Sequence, residues 1–347
     1  MENDTSLEHF SIERDRAYII PMIKEILAVN PDLYLYASPW SPPGWMKTGG
    51  SLCGGYMRAE YIDCYADYII RFIEEYAKCG IKISALTPQN EPETQQHGSM
   101  PACIWHPDIE AAYISVLRRK LKEKGLDVKI WMYDYNFDNY VRVKWSLENH
   151  PQLSKDCDGV AFHYYRGAIE QIRDLRDAYP HLGMHFTEGG PRLFDHYDCD
   201  WCKWGIMMSK TLNEGFGSFT GWNLMLDETG GPNVGPYFCG GLATLNSVTG
   251  ELSYSGQYKA FKHISRFMQK GAQVLEATLA DDVAGMFRFP KADAPVQASV
   301  WKNPDESLVY ILVNSNTEKK QIQFFEGGTW WYVELLPNSL STVVVEK

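Results

Sequence analysis

The 347-residue chain has few cysteines, fewer basic than acidic residues and no long apolar run. No stretch approaches the ~18 apolar residues that a membrane-spanning helix needs, so a transmembrane helix is not expected. Its 8 cysteines (Cys53, Cys64, Cys79, Cys103, Cys157, Cys199, Cys202 and Cys239) are too sparse for a disulfide scaffold and read as small buried hydrophobes. Cys199 and Cys202 form a lone C-x-x-C. It lacks the second pair that a zinc site would need, and no thioredoxin-like unit precedes it, so no metal or redox role is assigned. The 33 Lys+Arg against 44 Asp+Glu give a net charge of -11, which argues against nucleic acid and anionic membrane surfaces as partners. The opening residues, MENDTSLEHFSI, are polar and acidic, the opposite of a signal peptide. The chain as written is therefore expected in the cytoplasm; a missing N-terminal segment would make it secreted or periplasmic.

What the sequence does contain is apolar and aromatic. Hydrophobic residues make up 45% and aromatics 14%, with 11 Trp and 21 Tyr, enough for a large core and for a groove that receives ring-shaped ligands. From Phe10 onward, helix-period segments alternate with strand-like ones, the pattern of a parallel α/β protein. Helices are predicted over 11–30, 60–79, 107–124, 137–150, 168–179, 201–214 and 256–269. Strands are predicted over 33–38, 82–86, 128–132, 160–163, 184–187 and 219–223. Beyond Gly271 the pattern changes to short alternating runs (VAGMFRF, VQASVWK, LVYILVNS, QIQFF, WWYVEL, STVVVE), which read as an antiparallel appendage. The expected domains are 1–271 and 272–347.

Two strand ends each lead into a glutamate. The strand at 82–86 runs into Thr87-Pro88-Gln89-Asn90-Glu91-Pro92, and the strand at 184–187 into Glu188-Gly189-Gly190. Cleaving a glycosidic bond takes two carboxyl groups, one to protonate the leaving oxygen and one to attack or to activate water. In a parallel barrel all strand C-termini open on one face, which would bring Glu91 and Glu188 together. Either glutamate alone would more often be a capping or solvated residue. The glycines after Glu188 suggest a sharp turn that leaves the carboxylate at the rim.

Five motifs in order resemble glycoside hydrolase family 30, the group that includes glucosylceramidases, β-1,6-glucanases, β-xylosidases and glucuronoxylanases. They are ASPWSPPGWMKTGG (37–50), TPQNEPE (87–93), His163-Tyr164-Tyr165, FTEGG (186–190) and GWNLMLDETGGPN (221–233). The resemblance implies a (β/α)8 TIM-type barrel with a C-terminal antiparallel β-sandwich, and a retaining mechanism without metal or cofactor. It implies Glu91 as acid/base and Glu188 as nucleophile. Asn90 is the implied partner of the sugar 2-hydroxyl, and Trp40, Tyr165, Trp222 and Asn223 line the pocket. Asp134 and Asn136 are further pocket candidates. His163 is equally a structural histidine or a ligand, and His97 and His106 lie in a loop suited to specificity.

The family's central Trp in the His-aromatic-Tyr element is Tyr164 here. If Glu91 follows barrel strand four, the strand at 33–38 is strand three, so strands 3 to 8 are expected and the first two are missing. An open barrel edge calls for cover, which suggests a homo-oligomer or a complementing chain. The expected activity is a retaining β-glycosidase of exo-β-glucosidase/β-xylosidase or β-1,6-glucanase type acting on a β-linked glycan. The competing expectation is a glycan-binding protein that lost turnover with its first strands.

Overall fold

Pro21 decides how the first helical segment forms. In the computed structural model, which describes residues 3–233, 235–277 and 296–346, the helix expected over 11–30 is two helices, α1 (Glu13–Ala17) and α2 (Ile19–Val29). A proline ring clashes with the carbonyl four residues earlier, here that of Ala17, so one continuous helix cannot pass through. Tyr18 makes the break, with φ -138° and ψ -52°. Ser11 Oγ accepts the Glu13 N–H at 3.1 Å just ahead of α1.

Contacts divide the chain into two compact units, Met1–Thr187 and Glu188–Lys347. In the first, β1 (Tyr36–Ala37), β2 (Ala85–Leu86), β3 (Lys129–Asn136), β4 (Gly159–His163) and β5 (Gly183–Glu188) follow one another in sheet order. The pairs from β1 to β4 are parallel. Between the strands run α3 (Ile62–Lys78), α4 (Pro107–Glu123), α5 (Val141–Asn149), α6 (Leu153–Asp156) and α7 (Arg173–Ala178). Helix α3 buries Tyr65, Ala66, Ile69, Ile70, Ile73 and Tyr76, one face at helical spacing. Helix α4 opens with Pro107 at its start and His106 as its cap, whose Nδ1 accepts the Asp108 N–H at 3.3 Å. Tyr65 and Tyr113 join the two helices, with ring centroids 5.3 Å apart.

Strand β3 is buried from Ile130 to Asn136, as a parallel strand covered on both faces should be. Its register against β4 slips between Tyr133 and Tyr135. The extra residue of this bulge is Asp134, which has the left-handed φ of +61°.

The second unit contains β6 (Phe216–Phe219), earlier than the strand expected over 219–223, with α8 (Trp201–Asn213) and α9 (Gly256–Ser265). A three-stranded sheet of β7 (Met225–Leu226), β8 (Ala243–Leu245) and β9 (Leu252–Tyr254) was not predicted; its strands are too short for a periodic signal. The later strands β10 (Gln273–Leu275), β11 (Gln297–Lys302), β12 (Leu308–Asn314), β13 (Lys320–Glu326), β14 (Thr329–Leu335) and β15 (Ser339–Val345) are antiparallel, in the orders β10-β11-β12-β15 and β13-β14. Gly327 and Gly328, both at positive φ, make the two-residue turn of the β13–β14 hairpin. The expected strand over 283–289 lies outside the described residues.

The helices of this unit pack on its antiparallel strands. Trp201 Nε1 donates to the Asn338 carbonyl at 2.8 Å, Asn213 Nδ2 to the Ala298 carbonyl at 2.9 Å, and Thr342 Oγ1 to the His263 carbonyl at 3.0 Å. A side chain at Gly205 would stand 3.0 Å from Leu340, so glycine lets α8 approach closely. Ala298 and Leu312 share a core with Leu335 of the β13–β14 hairpin. All eight cysteines are free; Cys199 is exposed, whereas Cys202 is buried and its thiol is pushed up to about 11 by that burial. Among the described residues no helix is long and apolar enough to cross a membrane.

Candidate active site

In the first unit, the residues singled out from the sequence gather at the C-terminal ends of the strands. Glu91 lies five residues beyond β2, in a loop pinned at two consecutive residues: Asn90 N–H donates to the Pro39 carbonyl at 2.8 Å and Glu91 N–H to the Asp134 carbonyl at 3.0 Å. Glu91 itself has φ +49°, a left-handed conformation that a non-glycine residue keeps only where its surroundings impose it. Gln96, Tyr133 and Asp134 share that conformation, at φ +49°, +80° and +61°. The Glu91 carboxyl, with a side chain 12% exposed, accepts from Gln96 Nε2 on one oxygen and meets His163 Nδ1 at 3.2 Å on the other.

His163, the last residue of β4, is buried and makes its second contact through Nε2, 3.1 Å from Asp134 Oδ1. Thr187 Oγ1 also donates to Oδ1, at 2.6 Å, while Ser38 and Thr87 hydroxyls donate to Oδ2 at 2.5 and 2.7 Å. Three hydroxyl donors and a His163 ring nitrogen therefore converge on a carboxylate that is 1% exposed, one for each lone-pair position it offers. Burial alone would raise the Asp134 pKa; the His163 contact and the Ser38 and Thr187 hydroxyls outweigh it and hold the group below the ordinary carboxylate value. Burial pushes the neighbouring Tyr135 hydroxyl up, with the Glu91 charge adding to the effect.

A buried ion pair supports this loop from beneath. Arg142 donates to Glu110 at 2.6 Å, to the Trp105 carbonyl at 2.8 Å and to Glu93 at 3.3 Å. The other Glu110 oxygen accepts the Tyr133 N–H at 2.9 Å, next to the bulge. Gln89 adds a second brace, donating to the Trp40 carbonyl at 2.7 Å and accepting from Trp105 Nε1 at 3.2 Å.

The second unit begins at Glu188, which is 8% exposed. The carbonyl of the next residue, Gly189, accepts from Trp222 N–H at 3.0 Å and from the buried Gln257 Nε2 at 2.7 Å, which fixes the chain just after the carboxylate. A β-carbon at Gly190 would lie 3.1 Å from both the β-carbon and the carbonyl oxygen of Trp222. Its φ is not left-handed, so glycine serves here to make room for Trp222 and not to turn the chain, as the sequence had suggested. Asn223 has φ +63°, and its carbonyl accepts the Leu242 N–H at 2.9 Å. Burial pushes the Cys239 thiol up, with the Glu188 charge adding to it.

Of the predicted residues, Glu91, Asp134 and His163 form one hydrogen-bonded group, and Tyr165 stands edge-on to the His163 ring at 6.1 Å. Asn90 and Trp40 flank it, with Asn90 buried and Trp40 half-buried. Asn136 is buried and accepts the Arg166 N–H at 3.2 Å. Glu188, Trp222 and Asn223 lie close together in the second unit through Gly189 and Gly190. Sequence reasoning missed Ser38, Thr87, Gln96, Thr187 and the Arg142–Glu110 pair. Thr87 and Thr187 sit inside the quoted motifs, each immediately after its strand's apolar run, and that position was the available signal. Gln96 and Arg142 carried none.

Residues 1–268 match the glycosyl hydrolase family 30 TIM-barrel domain. The chain belongs to glycosyl hydrolase family 30. Its fold is that family's TIM-barrel domain, with a parallel sheet followed by antiparallel C-terminal sheets. Family 30 relatives include putative glucosylceramidase 3 of Caenorhabditis elegans, 29% identical over 100% of this chain and 68% of its own length. An endo-1,6-β-D-glucanase of Neurospora crassa is 27% identical over 95% of this chain and 69% of its own. Other curated relatives, such as putative glucosylceramidase 1 of Caenorhabditis elegans, are covered over 62% of their length, so the chain spans about two thirds of the curated proteins it matches. Among solved structures, SrfJ from Salmonella typhimurium superposes with a TM-score of 0.89 at 26% identity, over 100% of this chain and 77% of that one. The endo-β1,6-glucanase BT3312 does so with 0.86 at 26% identity, over 96% and 76%. Within that family the chain is thus similar to proteins named as glucosylceramidases and to endo-1,6-β-glucanases.

Proposed function

We propose that this family 30 hydrolase cleaves a β-linked glucoside or β-glucan with retention, using Glu91 as acid/base and Glu188 as nucleophile. One observation carries the reading: hydrogen bonds run from Glu91 through His163 and Asp134 to Thr187, which is peptide-bonded to Glu188. In the first step Glu91 protonates the glycosidic oxygen while a Glu188 oxygen attacks the anomeric carbon, so the sugar–oxygen bond breaks as a glycosyl ester forms. In the second, Glu91 takes a proton from water as that water displaces Glu188, releasing the sugar with its original configuration. Asn90 is assigned to the sugar 2-hydroxyl, and Trp40, Trp222, Asn223 and Tyr165 to the walls of the pocket; no metal or cofactor is assigned.

The reading extends to residues 1–271 as a barrel domain and 272–347 as a β-sandwich, supported by the family match that ends at residue 268. In the first unit β1 stands at the end of the sheet order. We assign a second copy of the chain to that edge; a monomer at micromolar concentration in solution scattering would remove that part of the reading.

The function is tested by chromophore release from aryl β-glucoside, β-xyloside, β-galactoside and β-fucoside, together with sugar release from a β-1,6-glucan and with Glu188→Gln as control. The expected result is turnover of a glucoside or the glucan that the substitution abolishes. A folded protein that binds oligosaccharides and turns over none of these substrates would make it a glycan-binding protein instead.

A further inference from the structure

The sequence makes Asp134 a pocket candidate, yet its carboxylate has no oxygen left for a sugar. Both oxygens are filled: Ser38 and Thr87 at Oδ2, His163 and Thr187 at Oδ1. Its backbone carbonyl accepts the Glu91 N–H at 3.0 Å. The bulge in β3 and the left-handed φ of +61° put it there, a costly backbone state for an aspartate and one found where a side chain must be aimed. Charged and titratable groups around the set are Glu91, His163, Tyr135 and Tyr165, with Arg166 hydrogen-bonded to the Tyr135 hydroxyl at 3.0 Å, and Glu188 follows Thr187 in the chain.

We infer that Asp134 is a positioning residue that acts on Glu91 through His163, and not a ligand of the substrate. An anionic Asp134 can only accept, so it selects the imidazole tautomer with its proton on Nε2 and leaves the Nδ1 lone pair facing Glu91. That lone pair accepts a hydrogen bond from the protonated Glu91 carboxyl, the form a general acid needs. When Glu91 gives up its proton to the leaving group, the imidazole beside Asp134 is the nearest base and can take up a solvent proton to face the new carboxylate. The negative charge of Asp134 thus favours keeping a proton in the Glu91–His163 contact. The inference rests on the Glu91 assignment made above.

The test uses the full chain, with Asp134→Asn as an isosteric loss of charge. In imidazole nitrogen NMR of the wild type, neutral His163 is expected as the Nε2–H tautomer; the Nδ1–H tautomer would overturn the inference without any variant. In Asp134→Asn the His163 titration should fall by about one pH unit or more. The alkaline limb of kcat/KM should move to lower pH in the same direction, and kcat should drop while the Kd for a non-hydrolysed thioglycoside stays within about twofold. An unmoved His163 titration, or a lost thioglycoside affinity with an unmoved pH limb, would make Asp134 a structural or sugar-binding residue. The NMR readout needs no turnover, so an inactive wild type would refute the glycosidase reading while leaving this inference to stand or fall on the tautomer and the titration.

Discussion

Replacing Arg142 by Met should destabilise the first unit severely, and the size of the effect follows from what the guanidinium leaves behind. The Arg142 side chain is 8% exposed and that of Glu110 is 3% exposed, with 2.6 Å between them. Without the cation, Glu110 keeps only the Tyr133 N–H on its other oxygen and becomes a buried, half-satisfied charge. Glu93 suffers less, because both its oxygens also accept from Asn139 Nδ2 at 2.7 Å. Breaking a buried pair from one side costs about 3–5 kcal/mol, which for a unit of this size lowers the melting temperature by roughly 10 °C. Arg142→Met with Glu110→Gln should recover most of that loss, since an amide oxygen still accepts the Tyr133 N–H and no charge is stranded. Thermal and urea unfolding followed by tryptophan fluorescence at about pH 7 reads both variants against wild type. A loss below about 1 kcal/mol in the single variant, or a double variant no more stable than it, would refute the account.

Burial holds His185 down to about 4, with Asp158 opposing, and its ring stacks on Trp131 at 3.7 Å. The unfolded chain therefore binds a proton below its ordinary value while the folded one does not. Between about pH 6.5 and 4 this should remove roughly 3 kcal/mol of stability, and His185→Phe, which keeps a ring against Trp131, should flatten that slope in melting experiments. Gly190→Ala must displace Trp222 by a few tenths of an ångström against backbone, and should cost about 1–3 kcal/mol and weaken oligosaccharide binding measured by calorimetry; unchanged affinity would remove Trp222 from the pocket. Glu91→Ala should slow hydrolysis of glycosides with poor leaving groups by about 10²–10⁴-fold. Azide should rescue it as the β-glycosyl azide, whereas rescue of Glu188→Gly should give the α-azide; the reversed pair of anomers would exchange their roles, and the same anomer from both would cancel the assignment.

Much of the site could be read from residue order. TPQNEPE places a carboxyl five residues beyond an apolar strand run and FTEGG places one directly after another, and a parallel sheet sends such ends to one edge, so Glu91 and Glu188 stand out from the other acidic residues. Helix α4 was legible because Pro107 and Gly125 mark its ends. The split of the first helix was readable in principle from Pro21, since the clash with the carbonyl of Ala17 is local. The strand at Phe216–Phe219 was placed late because Phe219 to Asn223 is also apolar and aromatic, and periodicity over so few residues does not fix a boundary. The boundary near Gly271 follows the change in strand pattern, whereas the contacts cut at Glu188, because α8 and α9 hydrogen-bond to the antiparallel strands that follow them.

The sequence by itself determined the family and the alternation of helices and parallel strands, and it named two glutamates and nearby aromatic residues as site candidates, because motifs and short-range periodicity are properties of neighbours along the chain. Tertiary structure alone decided what Asp134 touches. A bulge, a left-handed backbone and donors from positions 38, 87, 163 and 187 converge on one carboxylate, and no local pattern encodes a meeting of four strand ends. The same holds for Arg142 and Glu110, 32 positions apart, whose pairing depends on two helices packing together out of water. Which residues carry reactive groups is written in order; which of those groups remain free for a ligand depends on how the folded chain uses up their hydrogen-bonding capacity.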